Sequence, residues 1–173
     1  MSFIDEAKSY AAGLINPTMF KAKIFFPGIV DGIDATNLSE FMIESSPIPS
    51  RDIGVIELPL WGGDVLKMAG APTYSDYSCT IVSDGGMIIY KTFERWFEIM
   101  HSTIAGTEAL DLAYLATIEI TIQNGAKSTI YTKELFNAFP ISLGEVSLAK
   151  TERDDVARFD ITFAYSNMAG DLT

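Results

Sequence analysis

The residues of this chain that could perform chemistry are few and lie far apart in the sequence. Cys79 is the single cysteine and His101 the single histidine, whereas nucleophilic catalysis needs a nucleophile and a base within hydrogen-bond reach. Cys79 shares one side of a predicted strand with Tyr77 and Ile81, which indicates a buried thiol that packs as a small apolar group. His101 falls near the end of a predicted helix, where a donor commonly caps the last carbonyl groups. This pattern predicts no catalytic pair.

Metal and phosphate sites have equally weak support. One cysteine and one histidine cannot complete a structural zinc site. Residues 31–34 (DGID) lack the alternating carboxylates and the closing glutamate of a calcium loop, and the acidic residues of 152–155 are typical of a solvated turn. Gly85 and Gly86 precede a helix without the spaced glycines and the lysine of a phosphate-binding loop. We therefore expect a protein that is not an enzyme and that binds no metal or cofactor.

Composition and charge narrow the class further. With 173 residues, 48% of them apolar and 20% charged, the chain is long enough to fold as one packed domain. Its net charge of −11 argues against binding nucleic acid through phosphate neutralisation, although an acidic surface can also serve solubility alone. Asp5 and Glu6 stand where a signal peptide would be basic, and no apolar run reaches the length of a membrane span. We expect no membrane anchor and a reducing compartment.

Alternation of apolar and polar residues with a period of two, interrupted by Gly, Pro and Asn, predicts a mainly β chain. In 116–123, for example, isoleucines alternate with Thr and Glu. The pair Asn124-Gly125 that follows is typical of a tight hairpin in which both residues have positive φ. The predicted strands cover 19–26, 38–44, 53–60, 64–69, 77–82, 116–123, 127–135, 143–149 and 159–165.

Two segments have helical periodicity. Residues 1–15 predict a short helical segment that begins with a capping serine, Ser2. Residues 87–102 predict a long helix whose apolar stripe is expected to cover a sheet face. Many strands with one packed amphipathic helix predict an antiparallel β-sandwich or barrel. The stripe consists of Ile89, Phe93, Trp96, Phe97 and Met100.

The extended hairpin predicted over 53–69 has an unusual tip. Its turn is Pro59-Leu60-Trp61-Gly62-Gly63, whereas the loop tip of a soluble monomer is normally polar because it lies in water. Apolar tips that find no partner promote aggregation. The tip therefore predicts that the chain assembles with a partner.

Five sequence motifs follow one another in an order that resembles a known family. The predicted aromatic helix follows the fourth motif. Together, the motifs and this helix are similar to the tail tube proteins of contractile-tailed bacteriophages over nearly the whole chain. Baseplate tube-initiator proteins and secretion-system tube proteins are similar as well. The motifs are NPTMF at 16–20, SPIP at 46–49, VLKMAG at 65–70, APTYSDY at 71–77 and FPISLGEV at 139–146.

The resemblance implies one tail-tube domain over 1–173 whose subunits form hexameric rings with a continuous inner β-barrel. Such rings stack into a tube inside a contractile sheath, and DNA passes through the channel into the host without specific binding. The implied partners are further copies of the chain, the sheath protein, and the baseplate and tail-terminator proteins. The implied location is the virion tail, after synthesis in the host cytoplasm. A ring would also remove exposed strand edges.

The resemblance also suggests which residues could face the lumen and which could join stacked rings. Because strand residues alternate between two faces, one polar face of the barrel strands could line the channel, and a basic lumen would hold DNA. Ring-stacking candidates are Phe3 and Ile4 in the N-terminal segment, and Leu60 and Trp61 at the hairpin tip. The lumen candidates are Glu40, Glu44, Ser78, Thr80, Glu119, Thr121 and Gln123; ordinary solvated strand residues would show the same pattern.

Two other classes of function remain open on the residues alone. A small-ligand or carbohydrate-binding β-barrel would use exposed Tyr and Trp side chains, although a core explains such residues equally well. A hydrolase would need a catalytic constellation that the sequence does not show. Oligomeric state separates the tube protein from both alternatives, because a tube protein is expected to form rings or tubes and the alternatives are expected to be monomers.

Overall fold

The computed structural model describes residues 15–105, 112–146 and 156–170. These residues form two helices, α1 (Ile33–Met42) and α2 (Ile88–Ala105), and two short 3₁₀ turns at Gly28–Val30 and Leu112–Tyr114. The nine strands are β1 (Phe20–Phe25), β2 (Ile43–Ser45), β3 (Arg51–Pro59), β4 (Val65–Tyr74), β5 (Tyr77–Val82), β6 (Ala116–Gln123), β7 (Thr129–Leu143), β8 (Arg158–Ala164) and β9 (Asn167–Gly170). The predicted mainly β class is confirmed.

Seven of the strands form one antiparallel sheet, which rolls into a nearly closed barrel. Its order is β1-β6-β7-β8-β5-β2, and β9 pairs with β7 beside the end of β8. The inward sides of these strands meet in a single apolar core. The outward sides therefore carry the polar half of each alternating pattern.

The long helix α2 supplies the largest side chains of this core. Phe93 and Trp96 are fully buried, with their ring centroids 6.1 Å apart, and Phe93 lies 5.9 Å from Phe163 of β8. The indole Nε1 of Trp96 donates a 2.9 Å hydrogen bond to the carbonyl of Tyr114, so its polar atom is satisfied inside the core. The predicted apolar stripe is confirmed, and plain core packing explains it.

Residues 38–44 are not the predicted strand. They form the end of α1 and the start of β2, which gives the fold a second helix. The apparent alternation misled because Phe41 is 77% exposed and does not pack on a sheet face. The helix is favoured by a tertiary contact instead: Ser39 Oγ accepts from the backbone N–H of Ile24 at 3.1 Å, and Thr36 Oγ1 accepts from that of Phe26 at 3.2 Å. Helix α1 thus covers the free edge of β1.

The hairpin between β6 and β7 is present, but its turn differs from the prediction. Lys127 has a positive φ of 61°, whereas Asn124 and Gly125 do not have positive φ. The Asn124 side chain organises the loop, since its Oδ1 accepts from the N–H of Ala126 at 3.0 Å and of Ser128 at 2.9 Å. A three-residue loop that ends in a left-handed residue replaces the expected two-residue turn.

The second half of the sheet also differs from the prediction in its strand lengths. Strand β7 runs on to Leu143, with a bend at Asn137, whose φ is 54°. Residues 144–146 are not in a strand, and 147–149 lie outside the described residues, so the strand predicted over 143–149 is wrong at its start. The short strand β9 was not predicted. The helical segment predicted over 1–15 lies almost wholly outside the described residues.

Candidate assembly surfaces

The predicted hairpin has longer arms than expected and protrudes from the barrel. Strands β3 and β4 pair with each other and with no other described strand. Every residue of β3 is exposed, and β4 has only Gly70 and Tyr74 half-buried. The register shifts where Gly54 lies beside Gly70, and a Cβ atom at Gly70 would lie 2.9 Å from the Gly54 carbonyl oxygen. Glycine is therefore required for the close contact at this bulge.

The two faces of this hairpin differ in polarity. One face carries an ion pair of 3.1 Å between Glu57 and Lys67 next to the exposed side chains of Val55 and Val65. The opposite face carries large apolar side chains in cross-strand pairs, and each of them is at least 42% exposed. Covering each of these half-exposed side chains would stabilise an assembly by about 1 kcal/mol. We call this the apolar hairpin face, and it consists of Ile56, Leu58, Leu66 and Met68.

The hairpin tip extends this apolar surface. Trp61 is 103% exposed and Leu60 46% exposed. A 2.8 Å hydrogen bond from the Leu60 N–H to the Asp64 carbonyl closes the turn, and Gly62 and Gly63 have φ values of 108° and 91° that only glycine adopts readily. None of the residues that the structure describes covers the Trp61 side chain. The other two stacking candidates, Phe3 and Ile4, lie outside the described residues.

The structure brings four of the seven lumen candidates together on the outer side of β1 and β6. Glu40 reaches them from α1, where it accepts a 2.7 Å hydrogen bond from Lys21 and lies 3.7 Å from Lys23. The hydrogen bond from Lys21 lowers the pKa of Glu40 against the opposing effect of burial. These residues surround a polar cavity of about 290 Å³. The four candidates in this group are Glu40, Glu119, Thr121 and Gln123.

The other three lumen candidates form a second polar group on the outer side of β2, β5 and β8. Their partners are all on β8. The hydroxyl of Thr80 donates a 2.7 Å hydrogen bond to Asp160. The second contact is 3.3 Å long and joins Ser78 to Thr162, and the third is the ion pair of Glu44 with Arg158.

Sequence reasoning missed the basic partners in both groups. Lys21, Lys23 and Arg158 hold the acidic side chains in place, yet none was predicted as a site residue. A signal was present, because all three alternate with core residues in their strands and therefore share the outer face with the acidic candidates. The basic side chains on this face are thus partly neutralised by ion pairs.

The residues that could perform chemistry lie in surroundings that do not favour catalysis or metal binding. Cys79 is 2% exposed, and burial raises the pKa of its thiol to about 12, so it is a poor nucleophile. Helix α2 continues to Ala105, so His101 is exposed one turn before the helix end instead of capping it. No cluster of possible metal ligands occurs in the part of the chain that the structure describes. Among the same residues, no helix is long and apolar enough to cross a membrane.

The glycine pair before α2 belongs to a helix cap. The Asp84 carboxylate accepts hydrogen bonds from the N–H groups of Gly86 at 3.1 Å and Ile88 at 3.0 Å, and a longer one from Ile89. Burial would raise the pKa of Asp84, but these backbone hydrogen bonds outweigh that effect and lower it. The segment therefore starts a helix and needs no phosphate to explain it.

The aromatic residues do not form a ligand-binding platform in the described structure. Trp96 and Tyr77 are fully buried in the core, and the Tyr77 hydroxyl lies 2.7 Å from Ser46 Oγ. Trp61 is exposed on a protruding turn and lines no cavity with them. This arrangement disfavours the carbohydrate-binding alternative.

Comparison with known proteins gives one family and one fold. The model of a family described as phage tail tube protein matches residues 15–169. The structure of an extracellular contractile injection system sheath–tube complex in its extended state superposes with a TM-score of 0.63 at 18% identity, covering 100% of this chain and 99% of that chain. The tube-terminating cap of the anti-feeding prophage gives 0.66 at 17% identity, covering 92% of each chain.

A further similar structure comes from the anti-feeding prophage baseplate, with a TM-score of 0.65 at 15% identity, covering 91% of this chain and 95% of that chain. At such identities these structures establish a shared fold. No curated protein sequence matches the chain.

Proposed function

The chain belongs to the phage tail tube protein family and is a structural component of the tail, and we propose that its subunits close into hexameric rings that stack into the tube. The observation that carries the proposal is the exposed apolar hairpin, with Trp61 uncovered at its tip. A monomer rarely exposes such a surface. Ring closure would also give partners to the outer strand edges of β3 and β4, which pair with no other described strand in the single chain.

In this proposal the hairpin contacts neighbouring copies. The apolar hairpin face packs on an adjacent subunit, and Leu60 and Trp61 join one ring to the next, together with Phe3 and Ile4 of the N-terminal segment. The hairpin surface of one copy differs from the barrel surface that would receive it, so the contact is heterologous, and heterologous contacts generate rings or helical tubes. The apolar content of the hairpin supports this use.

We further propose that the outer polar face of the barrel strands lines the lumen, through which DNA passes without specific binding. The net charge of −11 supports this role, as do the ion pairs that occupy Lys21, Lys23 and Arg158. A lumen with few free cations releases few counterions from DNA and therefore holds it weakly. The lumen residues of the proposal are Glu40, Glu44, Ser78, Thr80, Glu119, Thr121 and Gln123.

The remaining parts of the proposal concern partners and location. Similar structures come from a sheath–tube complex, a sheath/tube terminator and a baseplate, and these support the sheath, terminator and baseplate proteins as partners. The chain forms one tail-tube domain over 1–173, has no catalytic activity, is made in the host cytoplasm and functions in the virion tail. Baseplate tube initiation is the second candidate role, favoured by the baseplate structure.

The proposal is tested by assembly of the purified chain. Light scattering after size-exclusion chromatography across a concentration series is expected to show hexamers or larger species, and negative-stain microscopy is expected to show tubes with a central channel. Preformed tubes are added to a parallel sample as nuclei for growth. A monomer at all concentrations, with and without nuclei, would overturn the proposal.

The lumen is tested separately with the assembled tubes. Short fluorescent DNA is expected to show no retention by them at about 0.1 M salt, because retention through basic groups depends steeply on salt. Tight binding that weakens strongly as salt rises would contradict an acidic or neutral lumen.

A further inference from the structure

The hairpin is attached to the barrel through one pair of residues at its root. Arg51 and Tyr74 face each other as the first cross-strand pair of β3 and β4. Both side chains turn back to the barrel and contact the segment where β8 ends and β9 begins. The root is therefore a joint between the two-stranded hairpin sheet and the seven-stranded barrel sheet.

Arg51 makes two different interactions at this joint. Its Nη2 donates a 3.1 Å hydrogen bond to the carbonyl of Met168 in β9, and its guanidinium carbon lies 5.7 Å from the centre of the Tyr74 ring. A planar guanidinium can stack on a ring and donate in its own plane at the same time, whereas an ammonium group cannot. The bond also occupies a carbonyl on the outer edge of β9, which would otherwise be open to another strand.

Tyr74 holds the same segment from the other arm of the hairpin. Its hydroxyl donates a 3.2 Å hydrogen bond to Asn167 Oδ1, and its ring centroid lies 5.8 Å from that of Tyr165. The Tyr165 hydroxyl is buried and has no hydrogen-bond partner among the described residues. Tyr74 therefore contributes both packing against Tyr165 and a polar contact with Asn167.

A second anchor lies just before the root. The Lys133 ammonium donates a 2.7 Å hydrogen bond to the carbonyl of Pro49, a buried residue, and the hydroxyls of Ser50 and Ser75 lie 3.0 Å apart. Burial lowers the pKa of Lys133, and the charge of Arg51 lowers it further. Two cations thus share this joint, and their hydrogen bonds there go to the backbone carbonyl groups of Met168 and Pro49.

From this geometry we infer that Arg51 is a positioning residue that fixes the direction of the hairpin relative to the barrel and thereby sets where the apolar hairpin face meets the next copy. The inference rests on the proposed function. Strand β3 has 9 residues, which corresponds to a length of about 30 Å. A change of about 10° at the root would therefore displace the tip by about 5 Å, roughly one strand spacing.

The experiment compares the wild type with Arg51→Ala, Arg51→Lys and a control, Lys67→Ala. Lys67 is also a hairpin cation, but its 68% exposed side chain pairs across the hairpin with Glu57 and with no other described residue. Spin labels on Asp64→Cys and Ser128→Cys report the hairpin direction by pulsed electron spin resonance on the smallest soluble species. Cys79 is buried and is not expected to react with the label. Tube formation is measured by negative-stain microscopy.

The expected results separate the orienting effect of Arg51 from the effect of removing any positive charge from the hairpin. Arg51→Ala is expected to broaden the distance distribution at least twofold and to reduce the amount of tube at least tenfold. Arg51→Lys is expected to lie in between, because it keeps the charge and loses the stacked fork, and Lys67→Ala is expected to match the wild type. If Arg51→Ala does not fold, as judged by circular dichroism, Arg51→Lys carries the comparison.

The inference would be overturned by a wild-type distance distribution in the Arg51 variants, or by normal tubes from them. Equal loss of tubes in Lys67→Ala would also overturn it, because any hairpin cation would then suffice. If the wild type itself forms neither rings nor tubes, the proposed function fails, whereas the distance distributions still decide whether Arg51 orients the hairpin.

Discussion

Ser39 Oγ lies 3.1 Å from the backbone nitrogen of Ile24 and accepts its hydrogen bond, while donating its own hydrogen to the Thr36 carbonyl at 2.8 Å. A side chain of helix α1 thus takes the place that a neighbouring strand would occupy beside β1. Both residues are fully buried, and buried backbone N–H groups require a partner. The contact explains why the barrel can remain open between β1 and β2 without exposing the edge of β1.

The first prediction concerns this contact. Ser39→Ala leaves the Ile24 N–H buried without a partner, so it should reduce the free energy of unfolding by about 1–3 kcal/mol. Urea denaturation measures the change. The matched control is Ser102→Ala, which removes an exposed hydroxyl that bonds to the Ile99 carbonyl on the same type of element and should change stability by less than about 0.5 kcal/mol. Equal effects of the two substitutions would contradict the edge-capping role.

The second prediction concerns the hairpin tip. Trp61→Ala should leave the free energy of unfolding within about 0.5 kcal/mol of the wild type, because Trp61 is 103% exposed. Polymerisation should nevertheless be impaired, since in the proposed tube the tip supplies the contact between rings. Denaturation and negative-stain microscopy of the same preparation provide the two measurements. Tubes of normal length from this variant would show that the tip is not an interface.

The third prediction distinguishes the observed β6–β7 turn from the turn expected for an Asn-Gly pair. Gly125 does not have positive φ, and a Cβ atom there would meet no neighbour within 4 Å. Gly125→Ala should therefore be neutral or stabilise the fold by about 0.4–1 kcal/mol. A thermal or urea unfolding series measures it.

The control for that prediction is Gly62→Ala at the hairpin tip. Gly62 also has open space around it, but its φ is 108°. Alanine is strained there, so local hairpin amides should exchange faster in this variant. A loss of about 1 kcal/mol or more in Gly125→Ala would instead favour a turn with positive φ at Gly125.

The fourth prediction is a pH dependence. The folded-state pKa of Glu40 lies below its ordinary value of 4.5, so ionised Glu40 stabilises the folded protein. This contribution is present above the ordinary pKa and is lost as pH falls through the lowered folded-state value. The stability difference between wild type and Glu40→Gln should therefore be largest at about pH 7 and shrink in acid. A difference that grows as pH falls would contradict the ion pairs with Lys21 and Lys23.

Strict alternation made part of this fold predictable. Strands β5, β6 and β8 were recovered nearly to the residue because each buries one face, as Tyr77 and Ile81 do in β5. Helix α2 was recovered for the corresponding helical reason, since Phe93 and Trp96 lie on one stripe. Where one face of an element contacts the core, the spacing of its apolar residues shows whether the element is a helix or a strand.

The rest depended on contacts that sequence periodicity does not report. Helix α1 owes its place to hydroxyls that cap another strand, and β9 has only Met168 buried among its four residues. The left-handed conformation at Lys127 follows from the Asn124 side chain and not from the Asn-Gly pair. The polar strand faces were found, whereas their ion pairs depend on Lys21 and Arg158, which are distant from their partners in sequence.

The near-complete exposure of the β3–β4 ribbon affects how assembly of the proposed tube would begin. Its backbone hydrogen bonds hold it with almost no apolar burial of its own, and two-stranded ribbons in water are marginally stable. In the proposed tube, a subunit that joins an existing end would lose the conformational freedom of a single ribbon, whereas founding a new ring from free chains would restrict several ribbons at once. We therefore expect elongation to be favoured over spontaneous initiation, so that a pre-existing template would set the starting point.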